Sequence, residues 1–153
     1  MRVACAFDHA GVPFRERVLA EIRDAGHEPI DLGEADDYPD SALAAGRAIS
    51  NGEAERGIVV CGSGAGVAVA ACKIPGIRAA LAHETYTGAQ CVSHDDCNVI
   101  CMGARVIGPE IAAGVVRAFL AADFSGEERH VRRLNKVKAI ERDGLDTDLE
   151  AIT

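Results

Sequence analysis

Short apolar runs alternate with stretches of helical spacing along nearly the whole chain, and few folds accept that pattern. Residues 1–7 form an apolar run ending at Asp8, and residues 12–25 carry helical spacing until Gly26 stops it. Residues 28–32, 57–61, 78–82 and 98–102 read as further strands. The intervening stretches 41–51, 65–73 and 85–92 read as helices, as does 109–122, where Pro109 suits a first turn. Five strands joined by crossovers long enough to be right-handed predict an α/β fold: a doubly wound sheet of parallel strands with helices on both faces. Residues 127–142 add a C-terminal helix beyond the sheet, so residues 1–142 are expected to form a single domain. Residues 143–153 form an acidic tail carrying Asp143, Asp146, Asp148 and Glu150.

Ligands of such a sheet bind at the carboxyl ends of its strands. The loops beginning at Asp8, Gly33, Cys61, His83 and Gly103 all fall there, so the active site is expected from them. Hydrophobic residues make up 48% of the chain but aromatics only 4%, so small aliphatic side chains must fill a core where helices approach the sheet closely. A net charge of −8 disfavours nucleic acid as a partner. No stretch has the length and apolarity of a signal or a membrane span, which predicts a cytoplasmic protein. There the six cysteines are expected as thiols rather than as a disulfide framework.

The strongest local signal is Cys61-Gly62-Ser63-Gly64-Ala65-Gly66, which leaves a buried strand and enters a helix. Its glycines let backbone N–H groups converge on an anion, and the helix dipole adds positive potential. No Gly-Lys-Ser/Thr follows, and Val67 breaks the dinucleotide fingerprint, so the loop is an anion hole of another kind. Cys61 stands where the dipole favours a thiolate, a base or nucleophile. The bland reading is a buried cysteine beside a tight turn.

Two other cysteine patterns are weaker. Cys72 and Arg78 have phosphatase-loop spacing, but Cys72 closes a helix where the chemistry needs a helix to open. Cys91, His94, Cys97 and Cys101 could be zinc ligands, but their spacing matches no tight knuckle, and strand alternation turns Cys101 away from the loop. Asp8-His9 ends the first strand and His94-Asp95 ends the helix before the fifth, so both pairs are expected at one cleft. Arg129 and Arg133, spaced i, i+4, share a helix face on which two guanidinium forks can close on a phosphate. A merely solvated basic face is the competing reading.

Taken in order, these motifs resemble the ribose-5-phosphate isomerase B and galactose-6-phosphate isomerase family. The pieces are Asp8-His9-Ala10-Gly11, Asp37-Tyr38-Pro39, the loop from Cys61 to Gly66, Ala71-Cys72-Lys73, Gly76-Ile77-Arg78-Ala79, His94-Asp95 with Asn98, Gly103-Ala104-Arg105, and Arg129 with Arg133. The resemblance covers Arg2 to about Glu141. It implies a Rossmann-like fold, a mechanism without metal or cofactor, a phosphorylated sugar as ligand, and a homodimer or dimer of dimers with shared active sites. By resemblance Cys61 is the proton-transferring base, Ser63 assists proton movement between oxygens, and His94 opens the furanose ring. His9, Arg129 and Arg133 resemble phosphate ligands, with Arg105 reaching in from the neighbouring subunit. Asp8 and Tyr38 resemble positions facing the sugar, and the amides of Gly62, Gly64 and Gly66 the anion hole.

The chemistry agrees with the resemblance. Isomerising an aldose requires a base to remove a carbon-bound proton and a cradle for the resulting enediolate. Cys61 and its loop supply both, whereas Val67 and Ala68 offer no carboxylate where some relatives place one. Two residues depart from the family pattern: Asp95 stands where Asn is usual beside the ring-opening histidine, and Cys72 replaces Asn before Lys73. The implied reaction is ribose 5-phosphate to ribulose 5-phosphate, with allose 6-phosphate or galactose 6-phosphate as alternatives. Phosphosugar binding without turnover is a reading of a different class, one that has no use for the thiolate.

Overall fold

A computed structural model describes residues 1–152, so Thr153, at the end of the acidic tail, lies outside the described residues. The chain runs β1 (Arg2–Asp8), α1 (Arg15–Asp24), β2 (Glu28–Ala35), α2 (Tyr38–Ser50), β3 (Arg56–Cys61) and α3 (Ala65–Ala71). It continues through β4 (Ala79–Leu81), α4 (Thr85–Asp95), β5 (Val99–Gly103), α5 (Pro109–Ala121) and α6 (Glu128–Asp143). The five strands form one parallel sheet in the order β2-β1-β3-β5-β4. The chain moves outward from β1 to β2 and then crosses to β3 on the other side, which opens a topological switch point between β1 and β3.

Period-two alternation divides the core between the two faces. Val3, Cys5 and Phe7 of β1 join Ile58, Ile100 and Met102 beneath α1, α4 and α5. Ala4 and Ala6 join Val59, Cys61 and Cys101 beneath α2 and α3. The second face is lined by alanines, and Ala42, Ala45 and Ala48 of α2 meet it, so that helix lies close to the sheet. The first face carries the bulk: Val115, Val116, Phe119 and Leu120 of α5 are buried, each contributing about 1.5–3 kcal/mol of transfer free energy.

The last helix is different. Of the 16 residues of α6 only His130, Leu134 and Ala139 are buried, while Val131, Val137 and Ile140 remain 38–51% exposed. It lies against α4, with Ser125 just ahead of it donating its N–H to the Ser93 carbonyl. Among the described residues no helix is long and apolar enough to cross a membrane.

Candidate active site

The predicted loops from β1, β3 and β5 meet at the carboxyl edge of the sheet, together with the first residue of α2. They enclose an open cavity of about 340 Å³ lined by Asp8, His9, Ala10, Tyr38, Cys61, Gly62, Ser63, Gly66, Arg105 and Val106. Close backbone approach makes this possible. A Cβ on Gly11 would stand 2.1 Å from the Val60 carbonyl oxygen, and one on Gly103 would stand 2.4 Å from the Ser63 carbonyl carbon. Glycine is therefore required where the β1 and β5 loops press on β3.

Within the glycine-rich loop, Gly64 has φ of 81° and caps α3. Its N–H donates to Cys61 Sγ at 3.0 Å, holding the sulfur at the cavity floor. The Ala65 N–H is directed at Ser63 Oγ, 3.3 Å away. The N–H groups of Gly62, Ser63 and Gly66 find no acceptor among the described residues, so these, rather than the Gly64 amide, are free for a ligand oxygen. Tyr38 lays its ring on Gly66, whose missing Cβ would lie 3.0–3.1 Å from three ring carbons.

Asp8 is 5% exposed, and its Oδ1 accepts from the Ala10 and Gly11 N–H groups at 2.9 and 2.8 Å, leaving Oδ2 toward the cavity. His9 Nδ1 donates to the Asp36 carbonyl at 2.9 Å, which fixes the tautomer and presents Nε2 outward. Arg105 runs along Gly62, with Cδ and one terminal nitrogen each 3.5 Å from the position a Cβ would take there. Its own N–H donates to the Gly62 carbonyl. Arg105, expected from a neighbouring subunit, thus lies in its own chain's cavity, because the β5 loop is laid directly along the β3 loop.

The other expected residues assemble elsewhere. His94 stacks on His130, with ring centroids 4.1 Å apart and planes at 27°. Ser125 Oγ lies 2.6 Å from His130 Nδ1, and Arg129 and Arg133 flank His130 along α6. Burial, reinforced by positive charge from His94, Arg129 and Arg133, holds the His130 imidazole below the ordinary histidine range. Asp95 lines a second cavity, of about 610 Å³, with Arg78, Cys97 and Lys138 among its walls.

The expectation that Asp8-His9 and His94-Asp95 reach one cleft is therefore corrected within a single chain. A helix joining parallel strands returns to the sheet's amino edge, and α4 delivers His94 and Asp95 there. The Asn98 carbonyl accepts from Gly57 at that edge, whereas Gly103 pairs with Cys61 at the other. At ~3.3 Å per residue these edges lie about 16 Å apart.

The remaining thiols are placed by packing. Burial pushes the Cys5 thiol up to about 12 and also raises that of Cys101. The hydrogen bond that the Cys97 thiol donates to its neighbour Cys91, together with burial, pushes Cys97 up as well. Cys101 points into the face opposite Cys91 and Cys97, so the zinc spacing assembles no cluster. Cys72 ends α3, at the negative end of its dipole, and donates to the Ala79 carbonyl instead of facing an anion.

Residues 3–137 match the sequence pattern of the ribose/galactose isomerase family. The chain belongs to that family. Ribose-5-phosphate isomerase B of Escherichia coli is 37% identical over 145 residues, 92% of this chain and 97% of that protein. D-erythrulose-4-phosphate isomerase 2 of Mycolicibacterium smegmatis is 34% identical over 92% of this chain and 97% of its own length. Among solved structures, the type B ribose 5-phosphate isomerase of Trypanosoma brucei superposes with a TM-score of 0.87 at 45% identity, covering 90% of this chain and 97% of that one. Ribose-5-phosphate isomerase B of Clostridium thermocellum gives 0.88 at 38% identity, covering 93% and 98%. Family membership makes this chain an isomerase with a Rossmann-like fold. Two neighbours of the site escaped sequence reasoning. His83, whose loop was expected at this edge, accepts the Gly103 N–H, and His130 backs His94.

Proposed function

We propose that this chain interconverts an aldose phosphate and its ketose, with ribose 5-phosphate to ribulose 5-phosphate as the principal reaction. The observation that carries the reading is Cys61 Sγ, held by the Gly64 N–H at the floor of a cavity whose rim offers unpaired amides, a carboxylate and an imidazole. The names of the relatives in Escherichia coli and Trypanosoma brucei support the five-carbon substrate.

In the proposed reaction the Cys61 thiolate takes the proton from C2 of the open-chain aldose, and the electron pair moves into the C1–C2 bond to give an enediolate. The amides of Gly62, Ser63 and Gly66 hold the oxyanion. Ser63 passes a proton between O1 and O2, and the thiol returns its proton to C1, so no atom is gained or lost. Asp8 Oδ2 and Tyr38 receive sugar hydroxyls, while His9 Nε2 and Arg105 face the phosphate end.

A second copy completes this site. The chain carries two half-sites, one around Cys61 and one with His94, Asp95, Arg129 and Arg133, at opposite edges of its sheet and too far apart for one sugar phosphate. A two-fold pair would bring the unlike halves together twice. The exposed Val137 and Ile140, spaced i, i+3 on one face of α6, supply an apolar patch for that contact. The partner's His94 then opens the furanose, and its arginines close on the phosphate. We place the reaction in the cytoplasm, where the thiol stays reduced.

A second reading concerns substrate alone. The Mycolicibacterium smegmatis relative is named for a four-carbon sugar phosphate, and Asp95 stands where a family amide is usual. Incubating the purified protein with four-, five- and six-carbon aldose phosphates and following ketose formation tests both readings. Highest kcat/KM for ribose 5-phosphate is expected; no turnover on any of the panel would refute the proposal.

A further inference from the structure

Just past β5 the chain is tied to the proton-transfer loop by two backbone N–H groups. Those of Ala104 and Arg105 donate to the carbonyls of Cys61 and Gly62, both at 2.9 Å. The N–H of Gly103, one residue earlier, faces the β4 side of the strand and donates to His83 Nε2 at 3.0 Å. Gly103 is also where the two loops press closest. Its Cα abuts the Ser63 backbone, and its nitrogen lies 3.1 Å from the position a Cβ on Gly64 would occupy. A buried N–H left without an acceptor reorients or draws in water, and nothing between Gly103 and the Ser63–Gly64 backbone can absorb such a shift.

We propose that His83 is a positioning residue for proton transfer. Its Nε2 lone pair holds the Gly103 N–H, and through Gly103 it fixes Ser63 and the Gly64 amide that grips Cys61 Sγ. The imidazole serves only as the tautomer bearing its proton on Nδ1, since a proton on Nε2 would face the Gly103 N–H with a second donor. Nothing places His83 on substrate; it acts through the loop. This inference rests on the reading of Cys61 as the base, and its test separates the two.

Three variants decide it. His83→Leu removes the acceptor, His83→Asn shortens it out of reach, and His83→Gln keeps an oxygen near the Nε2 position. Hydrogen–deuterium exchange of peptides spanning residues 61–67 and 103–106 should speed up about tenfold or more in the Leu and Asn variants, while β1 and α1 keep the parental rate. The Gln variant should return to within about threefold of the parent. In turnover, the Leu and Asn variants should lose about tenfold or more in kcat with KM changed less than about twofold, and Gln should restore it. Parental exchange in both loops, acceleration spread evenly over the sheet, or a kcat loss that Gln fails to rescue would each overturn the proposal. Should the parent turn over no sugar phosphate, the Cys61 reading fails, and the exchange experiment still decides whether His83 holds the loop.

Discussion

Separating the two half-sites genetically asks whether catalysis needs both edges of the sheet from different copies. Let one chain carry Cys61→Ala, which removes the base, and a second carry His94→Ala with Arg133→Ala, which removes ring opening and a phosphate ligand. Cys61 and the His94 cluster lie at opposite edges of the sheet, about 16 Å apart at ~3.3 Å per residue, so no single copy can close both on one substrate. In a two-fold pair of unlike chains, one site collects all three lesions and the other collects none. Heterodimers isolated with two affinity tags should therefore show about half the parental activity per dimer, and an unsorted co-expressed mixture about a quarter. Each homodimer alone should be lower by two orders of magnitude or more, the scale of a lost proton-transfer group. The assay is ketose formation from ribose 5-phosphate at saturating substrate. Heterodimer activity no greater than the mean of the two homodimers would refute the shared site.

Other changes test the parts. Arg129→Ala and Arg133→Ala should each weaken phosphorylated substrates and competitive inhibition by inorganic phosphate by about 1.5–3 kcal/mol, with unphosphorylated sugars indifferent; equal phosphate inhibition of parent and variants would make the basic pair a solvated face. Asp95→Asn exchanges an acceptor-only carboxylate for an amide that donates, and should shift the ratio of kcat/KM among aldose phosphates by about tenfold, or about 1.4 kcal/mol. Unchanged ratios across the panel would show that Asp95 does not read the sugar. Gly11→Ala drives a Cβ into the Val60 carbonyl at 2.1 Å and should cost about 3–5 kcal/mol, seen as a fall in Tm on the order of 10 °C; an unchanged melting curve would contradict the close approach.

The periodic pattern located every strand and α-helix, because a parallel sheet buries apolar runs and separates them with amphipathic helices; it missed the short 3-10 turn Gly144–Asp146 in the tail. The differences lie at element ends. Helix α2 opens at Tyr38 rather than three residues later, since Pro39 fits a first turn and Asp37 holds the extended N-cap conformation. Helix α4 runs on to Asp95, because Asp96, in the left-handed conformation with φ of 51°, is what stops it. Strand order was not legible: β5 between β3 and β4 depends on which side of the sheet α4 packs.

Within the site, the groups contributed by one contiguous loop were placed together as read, except that the Gly64 N–H is taken by Cys61 Sγ and the Ser63 N–H is free in its stead. The amide nest, Cys61 at its head, and the Asp8-His9 corner all follow from local backbone chemistry. What failed was placement in space. His94-Asp95 was read as near the cleft from its position before a strand, whereas the start of a parallel strand lies at the far edge of the sheet. Arg105 in its own chain's cavity and His83 under Gly103 depend on two loops lying side by side, and no periodicity or spacing encodes that contact.

Isomerisation in D₂O followed by NMR shows directly whether Cys61 moves a proton between C2 and C1 of a sugar phosphate. A proton carried on Sγ exchanges with solvent before it is returned, so the parent should form ribulose 5-phosphate bearing deuterium at C1. Cys61→Ala, folded and still binding inorganic phosphate, should form product about 10²–10⁴-fold more slowly. Product free of solvent deuterium, or a Cys61→Ala variant turning over at the parental rate, would show that Cys61 is not the base.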